Sequence, residues 1–181
     1  MRNNLIVFAV VFTIAILIMQ TAKMPKTGRA DRLPCHKTKV CFENGFGDKD
    51  IKIAQKQLES GNFNFSSRVE KSKYAPSKLF DYIKLSDVDK ITQIELDSYL
   101  VKKELTDNKL KISYYIYEND VKDPGKKTKK SKLYGGYVVY KFYNKNNRLI
   151  YQSQVDFMNK KGADIASSVK CAIKSFATFN K

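Results

Sequence analysis

Residues 138–157 read VVYKFYNKNNRLIYQSQVDF, two alternating runs joined by the polar stretch 144–147. Val138, Tyr140 and Phe142 share one side of the first run. Leu149, Tyr151, Val155 and Phe157 share one side of the second, leaving Gln152, Gln154 and Asp156 for water. A period of two interrupted by a polar turn predicts a hairpin with one buried face. Upstream, LKISYYI at 110–116 repeats the pattern, with Leu110, Ile112, Tyr114 and Ile116 on one side. Ile94, Leu96, Ser98 and Leu100 alternate in the same way, with a turn at 106–109, so residues 91–100 are expected as a further strand. Together these make a four-stranded antiparallel meander with one face covered.

The cover is expected from residues 164–179. Ile165, Val169, Ala172, Ile173, Phe176 and Phe179 form an apolar stripe at helical spacing, and Asp164 stands at the cap position. Before the meander, residues 38–42 predict a strand, and Gly45, Phe46 and Gly47 a turn. A helix follows from Asp48 with Ile51, Ala54 and Leu58 inward and Gly61 as its stop. Residues 62–70 then predict a strand, and 77–85 a short helix burying Leu79, Phe80 and Ile83. The fold class is α+β: an antiparallel β-meander preceded by a β-α-β unit and closed by a C-terminal helix on one sheet face.

Residues 5–19, LIVFAVVFTIAILIM, carry no charge. As a helix they would rise about 22 Å, and uncharged flanks extend this toward the ~30 Å hydrocarbon core. The expectation is an N-terminal transmembrane anchor or signal helix at 1–22, a basic linker at 23–37 and one domain at 38–181. The short N-terminal tail with Arg2 suits a single-pass signal-anchor whose C-terminal domain is exported, periplasmic or extracellular. Secretion after cleavage is the alternative, although Gln20 makes a poor cleavage site after Ala22.

Lys and Arg outnumber Asp and Glu 34 to 18, a net charge of +16. Such a balance draws a protein toward polyanions: anionic lipid, acidic glycan or nucleic acid. The sequence contains no Gly-x-Ser-x-Gly, His-Glu-x-x-His or Walker pattern, and its one histidine, His36, is expected on a surface loop. No enzyme activity and no cofactor are expected. Cys35 and Cys41 are close enough in sequence to form a disulfide, which would leave Cys171 as a packed thiol. Cys35, His36 and Cys41 have no second ligand pair at finger spacing, so no metal site is expected. Glu95, Asp97, Glu104, Glu118 and Asp120 alternate with basic residues as an exposed strand face would.

Two polar features stand out. Residues 122–132, KDPGKKTKKSK, crowd Lys126, Lys127, Lys129, Lys130 and Lys132 into one loop, suited to binding anions. Tyr115, Tyr117, Tyr137 and Tyr143 fall on the open side of the predicted sheet, interleaved with Lys111 and Lys141. Tyrosines in that setting suit a protein interface or, as stacking platforms, single-stranded nucleic acid. In element order the chain resembles small extracytoplasmic domains of bacterial envelope accessory proteins, without the lipid-attachment cysteine many of them carry. The expected function is a membrane-anchored, non-enzymatic accessory domain docking to a protein partner in an envelope complex or to an anionic envelope component. The alternative is a nucleic-acid-binding domain tethered at the cytoplasmic side of a membrane.

Overall fold

The computed structural model describes residues 28–104, 106–125 and 128–181. The segment read as an anchor, residues 5–19, lies outside them, as do Lys126 and Lys127. No helix among the described residues is long and apolar enough to cross a membrane. The elements run α1 (Pro34–Thr38), β1 (Cys41–Gly45), α2 (Asp48–Glu59), β2 (Phe63–Glu70), α3 (Leu85–Asp97), β3 (Leu110–Glu118), β4 (Gly136–Tyr143), β5 (Leu149–Phe157) and α4 (Ile165–Ala177), with short 3-10 turns at Leu79–Asp81 and Lys130–Lys132. The fold is a mixed α+β arrangement: a five-stranded sheet in the order β1-β5-β4-β3-β2, with a C-terminal helix laid across it.

The meander is three strands long. β3, β4 and β5 pair antiparallel, as their alternation predicts. β1 adds antiparallel to β5, and β2 runs parallel to β3. Residues 91–100 correct the expectation of a fourth meander strand, because 91–97 belong to α3 and 98–100 to the turn that follows it. The buried positions of α3 are Val88, Thr92 and Leu96, spaced by four, whereas Ile94 is 69 % exposed. α3 is the crossover that two parallel neighbours require. It docks through Thr92 Oγ1, 2.6 Å from Tyr140 Oη, and through Asp89, which accepts from Tyr114 Oη at 2.5 Å.

Tyr114, Tyr140, Phe142, Tyr151 and Phe157 are fully buried on the helix side of the sheet. Phe142 stacks on Phe176 of α4 with centroids 3.8 Å apart, and Tyr114 stacks on Tyr140 at 4.8 Å. α2 packs Ile51, Ala54 and Leu58 inward, as predicted. Its Gln55 also turns in, donating to the carbonyls of Phe176 and Phe179 at the end of α4. Gly61, at φ +67°, ends α2 in the left-handed conformation that glycine tolerates best. Asp164 does not cap α4 with its side chain. It accepts instead from Met158 and Asn159 N–H at 2.9 and 3.0 Å and pairs with Lys39 at 3.3 Å.

The cysteines pair differently from the sequence expectation. Cys35 on α1 is bridged to Cys171 on α4, with Cα atoms 6.0 Å apart, and Cys41 is a free thiol buried on β1. The inward side of β1 meets Ser153 and Val155 in the core, so Cys41 is drawn into packing. Burial pushes its pKa up to about 12, reinforced by Glu43. Two residues of the 23–37 segment are held against β1: Ala30 N–H bonds to Cys41 O at 2.7 Å and Arg29 bridges to Phe42. His36 is buried, not on a surface loop, with Nε2 2.8 Å from Ser175 Oγ.

Candidate functional site

Among the described residues, α2, α3 and α4 lie on one face of the sheet and none of these helices covers the other. Strand register decides which side chains meet there. Arg68 of β2 lies opposite Tyr115, Tyr115 opposite Val139, and Tyr117 opposite Tyr137. Tyr117 stacks on Tyr137 with centroids 4.5 Å apart, and Tyr115 meets Tyr137 edge-on at 6.3 Å. The Arg68 guanidinium sits 4.4 Å from the Tyr115 centroid while bonding Glu70 at 2.8 Å. Three predicted tyrosines therefore form one platform with a cationic edge.

Tyr143 does not join them. It lies six positions along β4 from Tyr137, about 20 Å at strand rise, beside Lys111. Sequence reasoning also missed Arg68 and Val139. The alternation FNFSSRVE places Arg68 on the polar side of β2, but only the parallel register with β3 seats it over Tyr115. Burial raises the pKa of Tyr137, with Tyr115, Tyr117 and Glu70 adding to the effect, so its phenol stays neutral at physiological pH.

The basic loop rises from the same end of the sheet, since Tyr117 and Tyr137 are one pair in from Glu118 and Gly136, which end the ladder at the β3–β4 connection. Lys129, Lys130 and Lys132 are exposed there. Asn119 holds the base of the loop by donating to the carbonyls of Ser131 and Tyr134 at 3.1 and 2.8 Å. Gly136 is required at that root, because a Cβ would strike Tyr117 O.

Glu118 and Asp120 are not an exposed strand face, being 7 % and 2 % accessible. Glu118 accepts the N–H groups of Ser72, Lys78 and Leu79 at 3.1, 2.7 and 2.9 Å. Asp120 accepts those of Lys73, Tyr74 and Lys122 at 2.7, 2.6 and 3.2 Å. The loop after β2 is thereby fixed beside the platform. A cleft of about 550 Å³ lies between them, lined by Tyr117, Tyr74, Lys71, Lys73, Glu70, Asp120 and Asp123. A second, of about 450 Å³, has Lys78, Lys122 and Lys160 on its walls with Pro76, Val121 and Tyr134. Glu95 and Asp97 lie on α3, away from both clefts, and Glu104 is exposed on the following loop.

Asp156 faces this side of the sheet opposite Tyr137, and burial raises its pKa to about 6 against the opposing pull of Gln154 and Lys39. A carboxyl with a raised folded pKa costs stability as pH climbs from about 4 to about 6, where the unfolded chain has already released its proton. Asp156→Asn is accordingly expected to stabilise the domain by about 1–2 kcal/mol at pH 7.5. Paired chemical denaturation curves should show that gain disappearing below about pH 4.

No protein-family model matches the chain, and no curated protein is similar to it. Among solved structures, a PelC dodecamer from Paraburkholderia phytofirmans aligns at a TM-score of 0.44 and 8% identity, over 77% of this chain and 97% of that one. A point variant of the same dodecamer aligns at 0.43 and 9% identity, over 77% and 98%.

Proposed function

We propose that the protein is a membrane-anchored, non-enzymatic accessory domain, exported, that docks a protein partner or an anionic envelope component. The observation that carries this reading is the sheet face opposite the described helices. Its Tyr115–Tyr137–Tyr117 platform is flanked by Arg68 and adjoins a lysine-rich loop at one end of the sheet. Tyrosine and arginine are the residue types enriched where proteins meet, and clustered lysines draw the encounter with an acidic surface. The Cys35–Cys171 disulfide supports export over the cytoplasmic nucleic-acid alternative, because disulfides persist in oxidising compartments.

The test separates the two parts of the surface. Reversing Lys126, Lys127, Lys129 and Lys130 to glutamate is expected to slow partner capture and weaken its salt dependence. Tyr137→Ser, which removes the central ring, is expected to weaken capture at every salt concentration. Co-purification from membranes and vesicle sedimentation read both effects. Unchanged capture with both variants rules out the surface, and salt-sensitive binding to single-stranded DNA by the parent chain would favour the alternative.

A further inference from the structure

The sequence holds three cysteines and one histidine, and folding brings all four to the junction of α1, β1 and α4. Donor atoms of Cys35, His36 and Cys171 lie within 4.8 Å of one another. His36 Nε2 meets Ser175 Oγ at 2.8 Å, and Ser175 Oγ donates to the carbonyl of Cys171 at 2.8 Å. His36, Cys41 and Cys171 are buried, at 1 %, 0 % and 2 % exposure.

We propose that, once the Cys35–Cys171 disulfide is opened, Cys35, His36 and Cys171 form a binding site for a thiophilic divalent cation of the Zn²⁺ class. Two thiolates and an imidazole are donors that such ions take in tetrahedral sites. Bond lengths of about 2.3 Å to sulfur and 2.0 Å to nitrogen at tetrahedral angles space ligand atoms about 3.5–3.8 Å apart. The present cluster reaches that spacing by parting the two sulfurs. A thiol reductant supplies the two electrons: the S–S bond breaks, two Cys–SH groups form, and the reductant leaves as its own disulfide. The cation then displaces both thiol protons. Bridge and metal would thus hold α1 against α4 in alternate redox states.

The experiment uses the full-length chain in detergent, reduced, freed of reductant without oxygen and titrated with Co²⁺ as the spectroscopic probe. The expected result is one Co²⁺ per chain with thiolate-to-cobalt charge-transfer absorption, and no such band from the oxidised chain. His36→Gln, whose folding is checked while the disulfide is intact, should bind at least about 10-fold more weakly. Cys171→Ser should lose the charge-transfer band. The assignment is overturned if the reduced parent shows no thiolate–cobalt band or if Cys171→Ser keeps it undiminished. A reduced chain that unfolds and is not refolded by the metal, read by circular dichroism, overturns it equally.

Discussion

Cys171→Ser is expected to lower the unfolding free energy by about 5 kcal/mol in metal-free, non-reducing buffer. The bridge joins residues 136 positions apart, so its removal releases nearly the whole described chain in the unfolded state. Loop-closure entropy for a ring of that size gives the figure, near the top of the range for single disulfides. Cys35→Ser should cost the same, and the double variant no more than either, because one bond is lost in all three. Cys41→Ala should leave the bridge intact. Guanidinium denaturation of the set measures this, and a cost below about 1 kcal/mol for Cys171→Ser would contradict the linkage described.

Glu118→Ala carries the second largest effect, about 2–3 kcal/mol. Its carboxylate accepts three backbone N–H groups from the 72–79 segment, and the alanine variant leaves those donors without a charged acceptor. Glu118→Gln keeps one oxygen for Lys78 and Leu79 but turns an amine toward Ser72, so about half the loss is expected. Burial opposes ionisation of Glu118, but hydrogen bonds from Ser77 and from the Leu79, Lys78 and Ser72 N–H groups outweigh it and set its pKa below the ordinary value. Its contribution is therefore fully present above the unfolded carboxylate pKa, about 4.3, and is lost as pH falls through the lower folded value. The difference between parent and Glu118→Ala should shrink in acid, and chemical denaturation at stepped pH will show whether it does.

The elements that were legible in the sequence are those whose burial follows one local period. β3 alternates strictly, β4 and β5 do so except at Val139 and at Ile150 beside the register shift, and the stripe from Ile165 to Phe176 follows a helical repeat, so both faces were visible in advance. α3 was misread because Ile94, Leu96 and Leu100 also alternate, while its true buried set includes the polar Thr92, whose partner Tyr140 lies 48 residues away. The disulfide was misassigned for a related reason. Cys35 and Cys41 are neighbours along the chain, but β1 points Cys41 into the core, and only the packing of α4 brings Cys171 to Cys35. Of the candidate site, the tyrosines could be read from sequence. Arg68 over Tyr115, and the separation of Tyr143 from its fellows, depend on strand register and required the fold.

Near the N-terminal end of the described residues, Arg29 bridges to Phe42, and Arg32 reaches across to the segment that ends α4. Its guanidinium bonds both oxygens of Glu43 at 2.7 and 2.8 Å, together with the carbonyls of Thr178 and Ser175. Arg29, Ala30 and Arg32 thus belong to the folded part of the chain. A pull on the chain ahead of Arg29 would load β1 through Glu43 and the end of α4 through Ser175 and Thr178 at the same time, partners 11 and 143 or more positions away, so force would be shared across the domain without peeling one edge strand first.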